Sequence, residues 1–251
     1  MKVLGFLSFL GGAYYGFQRQ KGKQTVQGSV EAVLSSLLNE DIAIKGAGRT
    51  DAGVSAVSYP FAFCLSRKVD LKRLLSYFNR RLPKDISCSS LAYVDDSFDP
   101  RHSSYLKVYR YRFSVKDKLS LDSGVEAYLG DYAFDWAEFG KALDVFLGVH
   151  DFSNFTCKKE DVDGFVRDIK SIQLSFDGKS GRGEAVFSAS GFMTYQIRLM
   201  MGYALRVGMG KSSLEELKRA LERKPRLVTH YKAPACGLSL LEVKYEAIPY
   251  L

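Results

Sequence analysis

"DIKSIQLSFDGKSGRGEAVFSASG", Asp168–Gly191, reads as two alternating apolar and polar runs on either side of the turn-rich stretch DGKSGRG. Period-two alternation marks half-buried strands, and two such runs around a glycine-rich turn make a β-hairpin. A hairpin here breaks any regular strand–helix alternation. Before it, "KVYRYRFSV" (107–115) reads as a strand and "DWAEFGKALDVFLG" (135–148) as a helix. After it come a long apolar helix, "FMTYQIRLMMGYALRVG" (192–208), a second helix, "SLEELKRALER" (213–223), and a closing strand, "GLSLLEVKY" (237–245). The first half has similar ingredients. "KVLGFLSFL" (2–10) is a strand and "GGAYYGFQRQKGKQ" (11–24) a loop, and Thr25 precedes a helix with Val26, Val30, Val33, Leu34 and Leu37 on one face. "DIAIKGAG" (41–48) reads as a short strand and "SAVSYPFAFCL" (55–65) as a strand in which Pro60 suggests an edge or a bulge. "DLKRLLSYFNRRL" (70–82) is a helix and "DISCSSLAYVD" (85–95) a strand. Strands and helices mixed without regular alternation predict an α+β fold.

The 251 residues suffice for one large domain or two packed halves, and 46% hydrophobic with 25% charged residues is the composition of an ordinary globular protein. The net charge of +8 points toward a polyanionic partner, nucleic acid first. That charge is clustered. No acid precedes Glu31, while Arg19, Lys21 and Lys23 share one loop with Tyr14, Tyr15 and Phe17. Residues 66–84 hold seven Lys and Arg against Asp70, and residues 101–118 hold six against Asp117, interleaved with Tyr105, Tyr109, Tyr111 and Phe113. Each cluster alone fits a solvated face; three together, two of them threaded with aromatics, fit single-stranded or looped RNA. In the strand 107–113, Lys107, Tyr109, Tyr111 and Phe113 share one face, which is either ordinary core or the wall of a site.

Cys64, Cys88, Cys157 and Cys236 form no C-x-x-C pair, and with only His102, His150 and His230 there is no metal-ligand spacing. Buried, reduced thiols and a cytoplasmic location are expected. The apolar run after Lys2 imitates a secretory signal but is near the minimum length for one, and reads better as a strand; no membrane-spanning stretch is present. "GMGKSS" (208–213) lacks the leading glycine of a phosphate-binding loop, since Leu205 stands there, and is better read as a helix C-cap. "GKSG" at Gly178 fails likewise, with Gln173 in the glycine position. A site without a cofactor or metal is favoured.

"GAGRTDAGVSA" (46–56) puts Arg49 and Asp51 on one side of an extended segment between glycines, which on shape alone is an Asx-turn with a surface arginine. The segment closely resembles the signature loop of the tRNA pseudouridine synthase A family, G-R-T-D-x-G. "GGAYYGFQRQ" resembles that family's N-terminal loop, "KVYRYRF" its tyrosine-bearing strand and "LGVHDFSNF" its G-x-H-D-F segment. "GFMTYQIRLMMGYALRVGMG" is similar to its arginine-bearing helix, and "APACGLSLLEVKY" to its last strand, all in family order. The resemblance departs at Leu10, Phe17 and Ser55, where the family usually carries an acid, a tryptophan and a histidine.

The resemblance implies two RRM-like (ferredoxin-like) halves, 1–105 with the catalytic loop and 106–251, with antiparallel sheets joined around a central catalytic cleft. It implies an isomerase that turns uridine to pseudouridine in the tRNA anticodon stem-loop at positions 38–40, acting in the cytoplasm as a homodimer. Asp51 would be the nucleophile. Tyr109 would be the ring stacked on the uracil, with the removal of the C5 proton as a further role. Arg198 would hold Asp51 ionised and Arg49 would stabilise the extruded nucleotide. Gly237 and Leu238 would line the pocket, and Arg19, Arg101 and Lys107 would contact the substrate. The rival readings are the same chemistry at other uridines and a non-catalytic tRNA-binding or folding protein on this scaffold.

Overall fold

The computed structural model describes residues 1–116, 125–160 and 164–251. The final Asp117–Lys118 of the third basic cluster lies outside them. The described chain packs as two units, one of residues 1–107 with 239–251 and one of residues 108–238. The change of unit falls within a strand, at Lys107/Val108.

In the first unit the order is β1 (Lys2–Phe9), α1 (Val26–Leu38), β2 (Lys45–Gly46), β3 (Ser55–Cys64), α2 (Leu71–Arg81) and β4 (Ile86–Val94). β1 pairs antiparallel with both β3 and β4. Both helices start at caps that satisfy free amides: Thr25 accepts from Gly28 N, and Asp70 from Lys72 N and Arg73 N. α1 buries Val26, Val30 and Leu34 of its expected face together with Leu38, while Val33 and Leu37 are half-buried.

"DIAIKGAG" forms a strand only over Lys45–Gly46. The amide of Ile42 instead donates to Ser35 Oγ and that of Ile44 to Glu31 Oε1, so side chains of α1 replace a strand partner. Pro60 is not on an edge. β3 has β1 on one side and β2 on the other, with Pro60 opposite Phe6. The irregularity Pro60 suggested lies nearby, where the register shifts between Leu7 and Phe9.

The second unit contains most of β5 (Ser104–Ser114), then β6 (Ala127–Tyr128), α3 (Trp136–Asp144), β7 (Gly148–Asp151), β8 (Val166–Asp177), β9 (Arg182–Ala189), α4 (Gln196–Gly208) and α5 (Leu214–Glu222). Its strand order is β5-β9-β8-β7, with β6 parallel to β5. The β8–β9 hairpin is antiparallel from Ile169↔Ala189 to Asp177↔Arg182, as its alternation predicts. Phe113 and Phe139 are fully buried among Phe134 and Trp136. α4 ends where "GMG" predicts, with Gly210 in the left-handed region at φ 65°. Ser213 and Glu216 form a capping box at the start of α5. The chain then enters β10 (Leu238–Tyr245), which from Ser239 onward belongs to the first unit and runs parallel to β3. The fold is α+β with mostly antiparallel sheet. Of the cysteines expected to be buried, Cys88 is, Cys236 is half-buried, and Cys64 and Cys157 are exposed. No helix among the described residues is long and apolar enough to cross a membrane.

Candidate functional site

In the first unit, Asp51 is half-buried in a loop pinned by main-chain hydrogen bonds. Phe17 N donates to Thr50 O at 3.2 Å, Gly53 N to Tyr14 O at 3.3 Å, Val54 N to Asp51 O at 3.2 Å and Ala47 N to Pro60 O at 3.0 Å. The Tyr59 hydroxyl donates to Gly48 O, and its ring stacks on Phe17 at 4.2 Å. Thus "GGAYYGF" and "GAGRTDAG", far apart in sequence, form one double loop. Gly16 is required there twice over: its φ is +88°, and a Cβ would lie 2.6 Å from Thr50 O.

Two of the three departures from the family pattern support this double loop. Ser55 Oγ accepts from Gly11 N at 3.0 Å, and Phe17 is only 3% exposed. Leu10 is exposed.

Against the loop lies a cavity of about 330 Å³ whose lining includes Arg49, Arg101, His102, Gln18 and Phe17. Arg49 and Arg101, named separately from the sequence, share it. Lys107 is outside the lining, its Nζ donating to Ala47 O at 2.8 Å. Burial, and then the charge of Arg101, bring its ammonium down to about 8. Asp99 also lines the cavity. Burial pushes its carboxyl up, but the amides of His102 and Arg101 and the charges of His102 and Lys45 outweigh this and hold it below the usual range. Arg19 is outside the lining; it is exposed and paired at 3.2 Å with the buried Glu31. Gln18 lies in the family-like N-terminal loop but was given no role from the sequence, and His102, in a loop with no motif of its own, was not expected.

In the second unit, Tyr109 is half-buried, with Phe192 edge-on at 5.4 Å. Its face-mates Tyr111 and Phe113 are core. Burial above all pushes the Tyr111 phenol well up, so it stays protonated and donates to Pro234 O. On the other face, Arg110 and Arg112 share Glu184, at 3.7 and 2.9 Å.

α4 begins at Gln196, four residues later than its apolar pattern suggests, because Tyr195 adopts φ 63° as its N-cap. A left-handed tyrosine is strained by roughly 1–3 kcal/mol and persists only where the surroundings hold it. Its ring receives Lys232 Nζ at 4.1 Å and the Arg198 guanidinium at 5.4 Å. Arg198 and Ala233 bond reciprocally: Ala233 N donates to Arg198 O, and Arg198 Nε to Ala233 O, both at 2.9 Å. Gly202, one turn on, admits this close segment, since a Cβ there would lie 2.9 Å from Ala233 N and nearer still to Tyr231 O.

Gly237 and Leu238 are buried, and Gly237 O accepts from Arg112 N at 2.9 Å. "GVHDFSNF" serves as an anchor. Asn154 Nδ2 donates to Arg223 O at 2.9 Å, its Oδ1 accepts from Leu227 N at 2.7 Å, and Asp151 pairs with Lys224 at 2.6 Å.

A model of the tRNA pseudouridine synthase family matches residues 142–246. The tRNA pseudouridine synthase A of Lactobacillus delbrueckii subsp. bulgaricus is 33% identical, covering 97% of this chain and 94% of its own length. That of Dictyoglomus turgidum is 35% identical over 95% of this chain and 97% of its own, and that of Coprothermobacter proteolyticus 32% identical over 100% and 95%.

Proposed function

Because the chain belongs to the tRNA pseudouridine synthase A family and is an isomerase of tRNA uridines, we propose that it acts on the anticodon stem-loop, at positions 38–40, with Asp51 as its nucleophile. The reaction breaks the N1–C1′ bond, turns the uracil and rejoins C1′ to C5, the proton lost from C5 being matched by one gained at N1. No net redox change or hydrolysis occurs. A carboxylate can add and leave again in such a sequence provided it is ionised. In this proposal Arg198 keeps Asp51 ionised, and Tyr109 stacks on the uracil and takes the C5 proton. Gly237 and Leu238 line the pocket. Flipping the target out of its stack costs a few kcal/mol, which Arg49, stabilising the extruded nucleotide, and phosphate contacts by Arg101 and Lys107 offset. Arg19, tied to Glu31, adds a peripheral contact.

The observation that carries this reading is the cavity holding Arg49 and Arg101 together against the loop of Asp51. Division of labour between an N-terminal half (1–105) and a C-terminal half (106–251), a homodimer and a cytoplasmic location belong to the same proposal.

The test follows pseudouridine formation on an unmodified tRNA transcript and maps its position, for the wild type and for Asp51→Asn. Modification at 38–40 by the wild type alone, with tRNA still bound by the variant, is the expected result. Modification elsewhere overturns the assignment of position, and an active variant overturns that of Asp51.

A further inference from the structure

α4 carries Arg198 near its start and Arg206 eight residues later, roughly 12 Å further along the axis at 1.5 Å per residue. Past the turn at Gly210, the end of α4, α5 and the segment that follows enclose a second cavity, of about 550 Å³. Five cationic side chains line it against a single acid, Glu216. One of the five, Lys224, is occupied by Asp151. Among the described residues the other four, Arg206, Lys211, Arg219 and Arg223, have no carboxylate in an ion pair with them.

The cluster is organised rather than loose. The Arg206 guanidinium lies 4.0 Å over the Tyr231 ring, with Nε donating to Ser212 Oγ at 3.1 Å and Nη2 to Lys211 O at 2.9 Å. These bonds use two of its five N–H groups and leave three on a fixed plane. Lys211 Nζ is held 3.8 Å over Tyr132, and Tyr203 meets Tyr231 edge-on at 5.2 Å. A surface shaped only for stability and solubility intersperses charges of both signs; four cations gathered around a hollow await an anion.

We propose that this cavity binds a phosphodiester of the tRNA, a contact that uses none of the residues assigned to isomerisation. The inference rests on tRNA as the substrate. Guanidinium planes match phosphate oxygens in geometry, and the half-buried Tyr231 ring of the lining suits an adjoining nucleoside better than an acidic peptide.

The experiment measures tRNA affinity across a salt titration, together with pseudouridine formation at saturating tRNA. The double variant Arg219→Glu/Arg223→Glu changes two exposed side chains. It should weaken binding roughly ten-fold and flatten the dependence of log K on log salt by about one to two contacts, with kcat unchanged. Glu216→Gln keeps a residue that can close the capping box and removes the only acid of the lining. It should tighten binding by roughly two- to three-fold, a change of sign that a folding defect cannot mimic. If both variants bind tRNA as the wild type does, the cavity is not an RNA contact and the proposal falls. A wild type that makes no pseudouridine overturns the proposed function instead, while the two binding curves still decide the cavity.

Discussion

Asp51 stands in a loop that its neighbours grip through main-chain atoms, whereas Arg198 stands at the entrance of a helix shaped by side chains. In the first region, amides and carbonyls of 14–17 and 47–54 hold one another, and the demand on sequence falls on Gly16. In the second, a strained tyrosine, two cation–ring contacts and the reciprocal bonds of Arg198 with Ala233 set the geometry. The first arrangement rests chiefly on backbone, with side chains contributing at Tyr59, Phe17 and Ser55. The second depends on the particular groups present.

The sharpest way to break the comparison is at the two charged residues. Asp51→Asn should lower pseudouridine formation by roughly 10⁴-fold or more, measured in single turnover, while tRNA affinity stays near wild type. Arg198→Lys keeps the charge but loses the guanidinium fork that reaches Ala233 O. A fall of roughly 10²-fold in kcat is expected, and full activity would show that charge alone suffices.

Gly16→Ala tests the main-chain grip. Forcing alanine to positive φ against Thr50 O should cost about 1–3 kcal/mol in urea unfolding, with activity falling alongside. Unchanged stability would mean that the double loop moves freely.

The smallest effect concerns Lys107. Its folded-state pKa of about 8 lies below the ordinary 10.5, so between those values the unfolded chain binds the extra proton and stability rises with pH. The penalty of burying the charge is present in full below pH 8 and is relieved as pH climbs through that window. Relative to Lys107→Met, the wild type should therefore gain stability from pH 8 to 10. Its tRNA binding should lose about one contact's worth of salt dependence over the same range, and parallel pH profiles for the two proteins would refute this.

What could be read from the sequence follows the same divide. The hairpin 168–191, the Thr25 cap and the C-terminus of α4 each depend on residues close in sequence, so period, cap and glycine position announced them. The late start of α4 did not, because the apolar pattern from Phe192 continues through Tyr195 and only the segment around Lys232 and Ala233 explains the left-handed turn. The strand expected at 41–48 shrank because Ser35 and Glu31 on α1 take the amides of Ile42 and Ile44. The cavity shared by Arg49 and Arg101 was invisible as a unit, since fifty residues of chain separate the two. Phe192 beside Tyr109 was missed for the same reason.

Gly202 carries no charge and touches no reacting group in the proposed mechanism, yet the close passage of 231–233 depends on its missing side chain. A single methyl there would push the Ala233 segment outward and take from Arg198 both of its bonds to that residue. In a screen for inactive variants, position 202 would be recovered beside the charged residues. Since the methyl would meet main-chain atoms of Tyr231 and Ala233, no shorter side chain along 231–233 would make room for it.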